Sequence, residues 1–135
     1  EYLETRGVPV VGYGTDDFPA FWSRESGLEA PIRLDTPEAV ARLIDAKAAL
    51  GLEGGVLVAN PVPAADEIPR AVIARHIEAA LREAGRQGVA GKAVTPFLLA
   101  RMVELTGGRS LLANVALIRS NAALAGRLAR ALSGV

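Results

Sequence analysis

Two periods organise the apolar positions of this chain. Val8, Val10 and Val11 lead into Gly12 and Tyr13, and Val56-Leu57-Val58-Ala59 is an unbroken apolar run. Short continuous runs of this kind predict strands covered on both faces. A shorter strand is expected at Ile32-Arg33-Leu34. Elsewhere the spacing is helical. Val40, Leu43, Ile44 and Lys47 share one face, behind a Thr36 N-cap and Pro37 at the first helical position, and Gly51 stops that helix. Ile73, Ile77, Ala80, Leu81 and Ala84 predict a second helix, with Asp66 as its cap and Gly85 and Gly88 breaking the pattern. Thr95-Pro96 repeats the cap-plus-proline start for Leu98, Leu99, Met102 and Val103. After Gly107-Gly108, an Ala-rich helix is expected from Ser110 to about Leu132.

The order is strand, loop, helix, strand, then three helices. Strands alternating with helices predict an α/β fold with a mainly parallel sheet. Residues 14–31 form a loop-rich stretch holding the sole Trp and two of the three Phe residues. Glu1 to Gly7 reads as the closing turns of a helix with a Gly C-cap. The expectation is a single partial domain over residues 1–135, the C-terminal part of a longer chain whose upstream portion supplies the rest of the sheet.

Composition narrows the function. Fifteen Lys+Arg balance fifteen Asp+Glu, which argues against a partner held by phosphate neutralisation, so no nucleic acid is expected. There is no Cys among the 135 residues, which removes thiolate metal sites, disulfide staples and a cysteine nucleophile. No apolar run approaches a membrane span and no signal peptide is visible, so the expectation is a cytoplasmic protein without a membrane partner.

Candidate chemistry is sparse. His76 is the single histidine and has no second ligand at metal spacing. Gly12-Tyr13-Gly14 lacks the third glycine of a dinucleotide fingerprint, and Gly51 to Gly55 lacks the Lys-Ser/Thr of a P-loop. Three features remain. The loop from Gly14 to Trp22, with Thr15 and Asp16, follows a buried strand, where open α/β sheets bind ligands; it is either a site or a cover for the sheet edge. Lys92 lies before a helix start whose free N–H groups suit an anion, or is a solvated lysine. Asn114 and Asn121 stand seven residues apart on one face of the last helix, with Leu117, Ile118, Leu124 and Ala125. An amide on such a face needs partners. It either recognises the edge of a pyrimidine base or bonds neighbouring backbone.

Four stretches carry a resemblance: LETRGVPVVGYGTDDFPAF over residues 3–21, GGVLVANP over 54–61, GKAVTPFLLAR over 91–101 and ELTGGRSLLANVALIRSNA over 104–122. In this order they resemble the pseudouridine-5'-phosphate glycosidases, also called indigoidine synthase A-like proteins, over their C-terminal half. The resemblance implies a three-layer α/β/α fold and a homotrimer. It implies reversible cleavage of the C–C glycosidic bond of a small nucleotide substrate, giving uracil and ribose 5-phosphate. A C–C bond offers no readily protonated leaving oxygen. The family accordingly uses a lysine Schiff base as electron sink, a glutamate general acid and a divalent metal, Mn²⁺.

On this resemblance the Schiff-base lysine lies shortly before Glu1, and the glutamate and the metal-binding aspartate lie further upstream. No catalytic or metal residue falls in this chain, and neither Lys47 nor Lys92 sits in the lysine motif. Asn114 matches the family asparagine that hydrogen-bonds uracil; Thr15, Asp16 and Asn121 are further substrate-binding candidates. Ser120 departs from the Asn-Asn-Ala of many members. Two alternatives stay open: a non-catalytic ligand-binding or oligomerisation module, and an enzyme of the same family acting on another C-nucleoside phosphate or in pigment synthesis.

Overall fold

The computed structural model describes residues 2–134. A short helix α1 (Tyr2–Thr5) precedes β1 (Val10–Tyr13), β2 (Ile32–Leu34), α2 (Pro37–Ala49) and β3 (Leu57–Ala59). Three helices close the chain: α3 (Arg70–Arg86), α4 (Val94–Leu105) and α5 (Arg109–Ser133). The three strands are parallel in the order β2-β1-β3, with Val11 opposite both Ile32 and Val58. The expected α/β class with a parallel sheet is therefore observed.

Burial separates the central strand from its neighbours. Val10, Val11 and Gly12 of β1 are buried. The apolar run of β3 does not find the two-sided cover that its composition predicts. Leu57 is exposed and Val58 and Ala59 are half-buried, because β3 is an edge strand. The main core lies beyond the sheet. Trp22 and Val62 join Ile73 and Ala80 of α3, Met102 of α4, and Ala113 and Leu117 of α5. A second grouping brings α2 against α5, with Val40 and Ala41 buried on α2.

Helix starts follow local chemistry. Thr36 caps α2 as expected, its Oγ1 accepting from Ala39 N at 3.2 Å. Asp66 does not cap α3. It closes a 3₁₀ turn, Ala64–Asp66, and α3 begins only after Pro69, which holds the cap position and disfavours helix in the residue before it. Nor does Thr95 cap α4. A 3₁₀ turn over Gly91–Ala93 feeds straight into Val94, and Pro96 falls in the first turn, where its missing N–H costs nothing. Gly85 lies inside α3 rather than ending it. The Gly107-Gly108 break is as expected, both residues having positive φ.

Gly12 owes its identity to packing. A Cβ there would stand 2.5 Å from Thr15 O and 2.8 Å from Ala30 Cβ. The loop after β1 folds back onto the strand, and only glycine admits that approach.

Candidate functional site

Residues 14–31 run from the carboxyl end of β1, and their organiser is Asp17. Its Oδ1 accepts from Ser26 N at 2.7 Å and Ser26 Oγ at 3.0 Å, and its Oδ2 from Gly27 N at 3.2 Å. The Ser26 backbone bond is the main reason its carboxyl is held below the ordinary aspartate range. Thr15 serves this turn: Asp17 N donates to Thr15 Oγ1 at 3.1 Å. Asp16 points to solvent and pairs with Arg33 of β2 at 2.5 Å, and Arg33 also reaches Asp35 at 2.9 Å. Those bonds, Asp35 first, raise the Arg33 guanidinium further above its ordinary value. A polar cavity of about 400 Å³ lies here, lined by Thr15, Asp16, Asp17, Arg24, Arg33 and Glu67 among others. Thr15 and Asp16 thus border one cavity, each with an intramolecular partner.

A second cavity, of about 270 Å³, sits between this loop, α4 and the start of α5. Its lining is mostly apolar, with Trp22, Leu99, Val103 and Leu111, together with Ser110 and Asn114. Asn114 is half-buried, and its amide has no hydrogen-bond partner among the described residues. A pocket with apolar walls and one or two fixed polar groups is how proteins orient small rings.

Asn121 does not share that cavity. It is exposed on α5, as are Ile118 and Ala125, so the apolar face predicted around it is in fact divided. Its Oδ1 accepts from Asn60 Nδ2 at 2.9 Å, and Asn60 also donates to Ser120 Oγ at 3.0 Å. Asn60 follows β3 directly and ties the sheet to α5. Asn60 is not among the candidates the sequence marks; its one signal there is a polar side chain at the carboxyl end of a strand.

The remaining candidates are structural or solvated. Lys92 is exposed within the 3₁₀ turn. Lys47 is buried and donates to the carbonyls of Leu52 and Gly54 at 3.0 and 3.2 Å, and to that of Glu53. It latches the turn after α2. His76 is half-buried on α3. Among the described residues no three His, Asp or Glu side chains converge on a metal position, so the residues present do not fit a metal site.

The family model for indigoidine synthase A like protein matches residues 1–131. The chain belongs to this family. It is 68% identical over 134 residues to a Methylobacterium nodulans protein named pseudouridine-5'-phosphate glycosidase, covering 99% of this chain and 40% of that one. It is 55% identical to a Geobacillus kaustophilus protein of the same name, covering 98% of this chain and 44% of that one. Among solved structures it superposes on an indigoidine synthase A-like protein from Thermotoga maritima with TM-score 0.82 and 42% identity, covering 97% of this chain and 42% of that one. It also superposes on a prealnumycin C-glycosynthase solved with ribulose 5-phosphate, with TM-score 0.88 and 35% identity over 98% of this chain and 44% of that one. The chain thus spans less than half the length of these relatives. No helix among the described residues is long and apolar enough to cross a membrane.

Proposed function

We propose that this chain is the base-recognition part of a pseudouridine-5'-phosphate glycosidase, an enzyme that reversibly splits the C–C glycosidic bond to give uracil and ribose 5-phosphate. One observation carries the reading within the chain. The unpartnered Asn114 amide lines a mostly apolar cavity with room for a heterocycle. Its carbonyl can accept from a uracil N–H while its NH₂ donates to a uracil carbonyl, a pairing neither edge of an apolar ring offers. The names of the relatives at 55% and 68% identity agree with this reading. The C-glycosynthase neighbour acts in the same broad class, the bond between a carbon and a sugar.

On this proposal the chain binds and orients uracil, and excludes water from its apolar flanks. The Schiff-base lysine, the general-acid glutamate and the residues holding Mn²⁺ belong to the part of the family fold outside these residues, and the complete protein is a cytoplasmic homotrimer. Lys47 is excluded as a nucleophile by its three carbonyl partners. The test is direct. The complete protein that carries this chain, incubated with pseudouridine 5'-phosphate and Mn²⁺, is expected to release uracil and ribose 5-phosphate in equal amounts. Chelation should stop the release and Mn²⁺ restore it. A complete protein that binds the nucleotide without releasing uracil would favour the non-catalytic module.

A further inference from the structure

Trp22 is the one tryptophan of the chain, and its placement is costly. It sits in a tight turn in which Ala20 N donates to Ser23 O at 2.9 Å and Ser23 N to Ala20 O at 3.1 Å. The turn requires Phe21 to adopt φ 52°, the left-handed region, and Phe21 is the only non-glycine residue with positive φ among those described. Such a conformation persists in a bulky residue only where surroundings impose it. Here both flanks do. Ile68 N donates to Trp22 O at 2.9 Å, and the Phe21 ring packs edge-on against the indole with centroids 4.7 Å apart.

The result is a buried indole driven onto the first turn of α5. Its Nε1–H donates to Ser110 O at 3.1 Å. In an α-helix that carbonyl is also the acceptor for the N–H of the residue four further on, which is Asn114. The indole therefore holds the Ser110–Leu111 peptide, one turn before Asn114, on the acceptor that the Asn114 N–H shares. Trp22, Ser110 and Asn114 line the same cavity. Ser110 is 2% exposed; its hydroxyl has no partner, and its N–H donates to Thr106 Oγ1 at 3.0 Å.

We propose that Trp22 is a positioning and specificity residue for the base. Its N–H anchors the turn of α5 that carries Asn114 through Ser110 O, and its ring forms one wall of the cavity that Asn114 lines. The inference rests on the glycosidase reading above. It concerns how uracil is held, and it gives Trp22 no part in bond cleavage.

The experiment runs the reaction in the direction of synthesis, with the complete protein, uracil and ribose 5-phosphate. Trp22→Phe keeps a ring in the wall and removes the N–H. The expected result is a KM for uracil raised about fivefold, the loss of one hydrogen bond's worth of orientation, with the KM for ribose 5-phosphate within about twofold of wild type. Trp22→Leu opens the wall and should reduce the preference for uracil over 6-methyluracil at least threefold. A core residue with no role at the base would lower the melting temperature and leave the ratio of the two KM values and the base preference unchanged; that result overturns the inference. A wild-type protein that forms no pseudouridine 5'-phosphate overturns the glycosidase reading, and this inference with it. An active wild type matched by Trp22→Phe and Trp22→Leu in both ratios overturns the inference alone.

Discussion

At the scale of single residues, some polar side chains are spent on structure, whereas the Asn114 amide faces a cavity without a partner among the described residues. Asp17 shows the first kind. Three donors from Ser26 and Gly27 converge on its carboxylate and lower its pKa in the folded state. A depressed carboxyl pKa contributes stability that is present above the unfolded value of about 4 and is lost as pH falls through the lower, folded value. The loop carrying Trp22 should accordingly loosen below about pH 4, seen as a red shift of Trp22 emission measured against the Trp22→Phe variant. Asp17→Asn should loosen the same loop at neutral pH and abolish its acid transition. An acid transition unchanged in Asp17→Asn would mean that another carboxylate controls the loop. The sequence drew attention to Asp16 and not Asp17, because both follow Thr15 in an equally polar run. Only the return of the chain at Ser26 decides which carboxylate faces inward.

Among the elements, the parts legible in the sequence are those fixed by neighbours in sequence. Thr36-Pro37 marks the start of α2, and Gly107-Gly108 the break before α5. What was not legible depends on distant partners. Asp66 and Thr95 carry good capping side chains, but Pro69 and the 3₁₀ turn at Gly91–Ala93 place the helix starts elsewhere. Lys47 shares the apolar face of α2 by spacing, and its function there appears only when the turn after the helix brings Leu52, Glu53 and Gly54 over it. Lys47→Met keeps the aliphatic stem and strands those carbonyls. It should cost about 1–3 kcal/mol of stability with kcat per folded enzyme unchanged; a large loss of kcat at full folding would return Lys47 to the chemistry. Gly12→Ala should destabilise by at least about 1–3 kcal/mol, since its Cβ would press on the backbone of Thr15 rather than on a flexible side-chain tip. Thermal melts of the two variants beside wild type check both.

For the molecule as a whole, the sheet and helices leave much apolar surface uncovered. Leu112 is 68% exposed and Ile118 58% exposed on α5, and a cavity of about 460 Å³ opens among Tyr2, Leu3, Val10, Phe18 and Leu57. Large exposed apolar patches are uncommon on stable monomers and mark surfaces that partners cover. Under the proposed function the remainder of the family fold covers this surface. The 135-residue chain expressed by itself should then elute from size exclusion as aggregates or need a partner. A monomer with a sharp, cooperative melt would favour a free-standing module. The candidate site was only half legible at this scale. Asn114 stands out in the sequence through its motif, whereas Trp22 and Asn60 meet α5 only through long-range folding. Whether Asn114 holds the base is decided by kcat/KM for pseudouridine 5'-phosphate in the complete protein with Asn114→Ala. A loss of at least about tenfold is expected, since an amide that recognises a base edge leaves polar groups unpaired when removed. A kcat/KM equal to wild type would contradict that role for Asn114.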